Sequence, residues 1–255
     1  GFSTGHGYLR EPNDIRSYAA LACIAIQANQ NEMHGGQSVP NFDYSMAPGV
    51  RKTFRKMYFS ELANFFSINP GMALKDAQLL AKEIRKCIKR NLTMATGDAF
   101  KEDLVKFLPV HQESAGYEEI SPELAARAHD HAFEAALDAT DKATFQAMEA
   151  FVHNLNTMNS RAGAQVPFSS VNYGTDTSPE ARMVIKNLLL ATDAGLGNGE
   201  TPIFPVQIFK VKEGITYNPG DPNYDLFQLA IKTSAKLRQA FDAGLATLKA
   251  RLDTI

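Results

Sequence analysis

The sequence predicts an α/β protein whose sheet is largely parallel. Two observations carry that prediction. Long helical patterns open on clear start signals at Asn13 or Asp14, at Ser121-Pro122-Glu123 and at Ser178-Pro179-Glu180. Between and after them lie two strand-like runs, residues 165–172 and 203–211. Helices that alternate with strands must cross over the sheet, and a crossover joins parallel strands.

The elements follow in order. Residues 1–12 are glycine-rich, end at Pro12 and read as a loop. The helix capped by Asn13 or Asp14 runs to about Gln30, and its centre, residues 18–26, is apolar on every side. Such a helix is buried all round, in a core or against another subunit. His34-Gly35-Gly36-Gln37-Ser38 then joins it to an extended run, and Ala47-Pro48-Gly49 reads as a second loop. Residues 51–66 are helical and basic at their start. Ala73, Ala77, Leu80, Ile84 and Ile88 repeat at the spacing of an amphipathic helix. Residues 97–116 carry no decisive pattern. The helix from Ser121 extends to about Asn154, and the one from Ser178 to about Thr192, with Gly195, Gly197 and Gly199 ending it. Asn218-Pro-Gly-Asp-Pro222 is a turn cluster, and Asp221 or Asn223 starts a last helix. Repeats, low-complexity tracts and linkers are absent, so one domain is expected.

Composition narrows the function classes. The chain has 255 residues, 26 Lys plus Arg against 28 Asp plus Glu, 44% hydrophobic residues and a formal charge of −2. That is enough apolar side chain for a sizeable core, and no basic block suggests a nucleic-acid binder. Runs of about 18 apolar residues are missing, so no transmembrane helix is expected. Two cysteines, Cys23 and Cys87, make neither a disulfide framework nor a four-cysteine zinc site, which places the chain in a reducing, cytoplasmic compartment.

The common nucleotide and nucleophile motifs are absent. His129 and His131 stand two apart on a helix and face different ways, so a shared metal is not expected; solvated side chains are the simpler reading. Cys23 reads as a small core residue, and Cys87, between Lys86 and Lys89, as a partly buried, inert thiol. Two loops stand out. Adjacent glycines at Gly35-Gly36 let the backbone approach a ligand, and Gln37 and Ser38 add neutral hydrogen-bonding groups; a plain glycine turn is the alternative. The run holding Gln165, Ser169, Ser170 and Asn172 is too polar for a buried strand. It either lines a polar cavity or is an edge strand with one wet face.

On these residues the sequence closely resembles the anaerobic (class III) ribonucleoside-triphosphate reductases, a glycyl-radical family. The matching blocks are GFSTGHGYLREPNDIRSYAALACIAIQANQNEMHGGQSVPNFDYSMAPGVRKTF at 1–54, NSRAGAQVPFSSVNYGTDTS at 159–178 and ETPIFPVQIFKVKEGITYNPGDPNYDLF at 200–227. They stand in family order and span about residues 1–236. The resemblance implies about half of a ten-stranded α/β barrel of the glycyl-radical enzyme type, with long flanking helices. It implies reduction of ribonucleoside triphosphates to deoxynucleotides by radical chemistry, under allosteric control by bound nucleotides.

The resemblance also assigns residues. The helix at 14–30 is expected to pack against its mate in a homodimer, with a deoxynucleotide or ATP effector at that interface. Arg10, Asn13 and Lys56 fall where the family contacts the effector, Lys56 as a charge for its phosphates. His34, Gly35, Gly36, Gln37 and Ser38 form the loop between effector and substrate sites, changing shape with the effector. Gln165, Ser169, Ser170 and Asn172 form wall beside the substrate.

The family's radical glycine, finger-loop cysteine and cysteine-rich zinc site do not match any stretch here, and neither Cys23 nor Cys87 holds a family catalytic position. The family uses a radical-generating activase with S-adenosylmethionine and an iron–sulfur cluster, and formate as reductant. The expectation is therefore a central fragment, with no catalytic or metal residue of its own and inactive alone. Residues 237–255 depart from the family pattern and read as an amphipathic helix with Leu237, Phe241, Leu245, Leu248 and Leu252 on one face. A non-catalytic nucleotide-binding or assembly module derived from the same enzyme is the alternative.

Overall fold

The computed structural model describes residues 10–33, 35–69, 71–111, 120–159 and 165–252. Its elements are α1 (Ile15–Glu32), β1 (Gln37–Val39), α2 (Phe42–Ile68), α3 (Leu74–Cys87), α4 (Gly97–His111), α5 (Pro122–Thr157), β2 (Ser169–Tyr173), α6 (Pro179–Ala194), β3 (Val206–Phe209) and α7 (Tyr224–Leu252). They form two compact units, residues 1–49 with 143–255, and residues 50–142. The helices α2 and α5 contribute to both.

The first unit holds the sheet. Its order is β1-β2-β3 and both pairings are parallel, as expected of an α/β chain. Gln37 stands opposite Ser169, and Ser170 opposite Val206. β2 is therefore the middle strand, hydrogen-bonded on both sides, so the edge-strand reading of its polar residues does not hold. Val171 and Tyr173 are buried on one face, with Val184, Ile185, Leu188 and Leu189 of α6 also in the core. Burying each such side chain contributes about 1.5–3 kcal/mol. The other face carries Val206 and Ile208, both close to half exposed.

Local signals set most helix starts. Asp14 caps α1 by accepting from the Ser17 amide at 2.8 Å and its hydroxyl at 2.7 Å. Ser121 accepts from the Leu124 amide at 3.2 Å, and Ser178 from the Ala181 amide at 3.3 Å, each followed by proline at the first helical position. Residues 97–111, indecisive in sequence, form α4.

Other expectations change. Ala47-Pro48-Gly49 is no loop but lies inside α2. Proline costs a helix one backbone hydrogen bond, yet Phe42, Met46, Ala47 and Val50 are all buried there, and their burial outweighs the loss. Gly49 has a packing reason: a Cβ on it would come 2.8 Å from the Tyr18 ring of α1. Second, α1 is not enclosed on every side. Ile15, Ala19, Cys23, Ile26 and Gln30 form its buried face, while Ile24 is 51% exposed. Third, His129 is not solvated but belongs to the core of the second unit.

Every described element of the second unit is a helix. Phe54, Tyr58, Leu62 and Phe66 from α2 meet Ala125, Ala128, Ala132 and Ala136 of α5, with Leu80 and Ile84 of α3 and Phe100 and Leu104 of α4 in the same core. The alanines recur at helical spacing and make room for the aromatic rings. His129 receives or donates a 2.8 Å hydrogen bond with the Tyr58 hydroxyl and stacks on Phe133. Burial pushes its pKa down to about 4, and drives the Tyr58 hydroxyl above its ordinary value. Cys23 is buried, as expected; Cys87 is exposed rather than partly buried, because it ends α3 on the outer side of the helix between buried Ile84 and Ile88. No described helix is long and apolar enough to cross a membrane.

Candidate functional site

The polar residues singled out from sequence meet where β1 runs beside β2. Parallel pairing puts Gln37 next to Ser169 and Ser38 next to Ser170. Alternation along the strands then divides them into two sets. Gln37 and Ser169 point to the helical layer and are buried. Ser38, Ser170 and Asn172 point to the open face, where the Asn172 amide donates to the Ser38 hydroxyl at 3.0 Å. So Ser169 does not join the open wall with Ser170 and Asn172; its hydroxyl is sealed with no acceptor among the described residues. Gln165 is exposed, four residues before β2. His34 lies outside the described residues, as do the side chains of Phe241, Leu245, Leu248 and Leu252.

The glycine loop has a definite geometry. Gly35 takes φ +98°, a conformation side chains rarely adopt. A Cβ on Gly36 would stand 2.8 Å from the Phe168 ring. The Gln37 amide donates to the Phe168 carbonyl at 2.8 Å, which anchors β1 to the start of β2. The Gln37 side chain donates back to the Gly35 carbonyl at 3.3 Å and accepts from the Asn29 amide of α1. The loop is thus held by α1 on one side and by the open face of the sheet on the other, through neighbouring residues Gln37 and Ser38.

The carboxyl ends of the strands carry a polar crown that sequence reading missed. Asp43, buried at the start of α2, accepts from the amides of Gly174, Thr175 and Asp176 at 2.9, 3.1 and 3.1 Å with one oxygen. Asn223 donates to the Gly174 and Asp176 carbonyls, both at 2.9 Å, and is itself held by Arg182 at 2.8 Å. Gly174 has φ +121°, and a Cβ there would come 3.0 Å from the Lys210 carbonyl. Lys210 in turn donates to the Pro40 carbonyl and, at 2.8 Å, to the Asn41 side chain. Ligands of parallel α/β sheets bind at this end. In the sequence, the glycine in Tyr173-Gly174-Thr175 is the one visible sign; Asp43 and Asn223, which hold the turn, are more than 40 residues away.

Asn156 near the end of α5 does similar work at the start of β3. Its oxygen accepts from Ile203 and Phe204 at 2.9 and 3.0 Å, and its amide donates to the Phe204 carbonyl at 2.5 Å.

Of the residues assigned to the effector, Arg10 and Asn13 are exposed just ahead of α1 in the first unit, and Lys56 is exposed on α2 in the second. A groove of about 560 Å³ runs beside α1, lined by Tyr18, Leu21, Ala25, Asn29, Gln37 and Met46 among others. The open face offers hydroxyl and amide groups and no ionisable side chain among Ser38, Ser170 and Asn172. That suits binding of neutral hydroxyls and carbonyls rather than proton transfer. No cluster of three or more metal-ligating side chains converges among the described residues.

A sequence profile of the anaerobic ribonucleoside-triphosphate reductase family matches residues 1–251. The anaerobic ribonucleoside-triphosphate reductase of Haemophilus influenzae is 37% identical over 97 residues, which is 38% of this chain and 14% of that protein. The enzyme of Escherichia coli is 36% identical over 98 residues, again 38% and 14%. The one from Enterobacteria phage T4 is 39% identical over 102 residues, 40% of this chain and 17% of its own. The matched region therefore spans 14 to 17% of the length of these relatives.

Proposed function

Because the chain belongs to the anaerobic ribonucleoside-triphosphate reductase family, we propose that it carries the effector-to-substrate segment of such an enzyme. The reaction of the whole enzyme is reduction of a ribonucleoside triphosphate to its deoxy form by glycyl and thiyl radical chemistry, with formate as reductant. The radical glycine, its cysteine partner and the structural zinc are placed on no residue of this chain, so no chemical step is assigned here. An activase using S-adenosylmethionine and an iron–sulfur cluster generates the radical in the cytoplasm.

The observation that carries this reading is the two-sided loop. Gln37 answers to α1 through Asn29, and Ser38 answers to the open face through Asn172. A shift of α1 moves Gln37, and the next residue moves with it along a strand. That is a physical route by which a nucleotide held near α1 changes the shape of the neighbouring face, which is what allosteric specificity requires. The half-open side of α1 supports packing against a second copy, with Arg10, Asn13 and Lys56 meeting the effector. Ser38, Ser170 and Asn172 then stand beside the substrate ribose. The parallel sheet, whose Ser38, Val206 and Ile208 are exposed on one face with Ser170 and Asn172 half-buried beside them, supports a part of a larger barrel.

Calorimetric titration of the chain with dATP, dTTP and ATP tests the reading. Binding that weakens in Lys56→Ala is expected. No saturable heat with nucleotide up to about 1 mM, roughly −4 kcal/mol of binding free energy, refutes it. The module alternative predicts the same binding without any response of the 35–38 loop. Amide exchange at Gln37 and Ser38 with and without nucleotide separates the two.

A further inference from the structure

A hollow of about 240 Å³ opens on the second unit between the start of α4 and the middle of α5. His129, only 3% exposed, lies at its floor beside the half-buried ring of Phe133. One ring nitrogen of His129 shares the 2.8 Å hydrogen bond with the Tyr58 hydroxyl, and the other meets no partner among the described residues. With a pKa pushed down to about 4 by burial, this imidazole is neutral at pH 7. Gly97 closes one wall against Phe133, where a Cβ would collide with the ring. Asp98, Asp130 and Glu134 stand exposed around the mouth. Lys101 takes both oxygens of Asp130, at 2.7 and 2.6 Å, while Asp98 and Glu134 meet no cation among the described residues.

The acids alone would be a solvated rim. The unpaired nitrogen of a buried histidine beneath them is what marks a ligand, because buried polar atoms find a partner in the protein or in a molecule held at the site. That nitrogen accepts in one tautomer and donates in the other, and the Tyr58 hydroxyl serves both. A hydroxyl is the ligand group that answers either. A charge at this floor would lose its water with no counter-charge to replace it. The mouth is different: its two free carboxylates draw a cation, and an ammonium brings three donors to them. Between mouth and floor, Phe133 and Met94 offer apolar surface to a chain of a few carbons. We propose that this hollow binds a small aliphatic amino alcohol, its ammonium facing Asp98 and Glu134 and its hydroxyl on His129. The site does not rest on the reductase reading, because it lies wholly within the second unit and needs no nucleotide.

The test is calorimetric titration of the 255-residue chain with aminobutanol, against butylamine and butanediol as probes that each keep one end group. Aminobutanol is expected to saturate in roughly the millimolar range, with each half-probe about fivefold or more weaker. Asp98→Asn and Glu134→Gln should each weaken it about threefold, and added salt should do the same to the parent. Nitrogen NMR of the imidazole reads the floor directly: aminobutanol should shift the unpaired ring nitrogen of His129. A hollow that holds water alone shows no saturation by about 50 mM, and that overturns the site. Binding unchanged in the double variant Asp98→Asn with Glu134→Gln overturns it too. Butylamine that binds as tightly as aminobutanol, or saturation that leaves the His129 signals in place, overturns the floor contact and with it the ligand class.

Discussion

Replacing Asp43 with alanine should loosen the carboxyl end of the sheet while leaving the second unit intact. One oxygen of Asp43 accepts three amides, and removing it strands all three. The Gly174 amide is buried and cannot turn to water, whereas Thr175 and Asp176 are half-buried and recover part of their loss. A hydrogen bond to a charged group contributes about 1.5–3 kcal/mol, and a stranded buried donor costs about 1–3 kcal/mol. With Gly174 counted in full and the others in part, the change comes to about 3–5 kcal/mol. Asp43→Asn keeps an acceptor oxygen and loses only the charge, so about 1–2 kcal/mol is expected. Hydrogen exchange reads the effect locally. Protection of residues 174–176 should fall by about two to four orders of magnitude in Asp43→Ala and about tenfold in Asp43→Asn, with the amides of α3 and α4 unchanged. Protection within threefold of the parent in Asp43→Ala, on a scale where tenfold is about 1.4 kcal/mol, would refute the reasoning.

Two further predictions concern the titrating and nucleophilic side chains. His129 is held near a pKa of about 4 in the folded chain, against 6.5 ordinarily. The unfolded chain therefore takes up the proton first, and stability present above pH 6.5 is lost as the pH falls towards 4. The loss reaches about 2 kcal/mol after allowance for screening; urea midpoints of the second unit between pH 4.5 and 7 should slope accordingly, and a curve as steep in His129→Gln counts against it. Cys87 should react with a thiol reagent within minutes at neutral pH, and Cys23, buried with its pKa pushed up to about 11, should react only on unfolding. Equal labelling of both cysteines in the folded chain, read by mass spectrometry, contradicts the packing of α1.

What the sequence determined by itself was local or contiguous. The capping serines and aspartate with their prolines placed α1, α5 and α6 to within a few residues, because a cap acts on the next turn alone. The three long blocks carried the family, since a run of matched residues needs no knowledge of distance. Tertiary structure decided the rest. Pro48 sits in a helix because buried neighbours from distant segments outweigh a missing hydrogen bond. His129 has its pKa pushed down because packing of distant segments buries it in the core, where Tyr58, 71 residues away, is its hydrogen-bond partner. The polar residues of β2 part company because pairing on both sides assigns each a face, Ser169 to the helices and Asn172 to the open side. Asp43 and Asn223 become a clamp only once the loop after β2 lies between them. Burial and partnership are set by which segments meet, and a pattern within one segment cannot specify its neighbours.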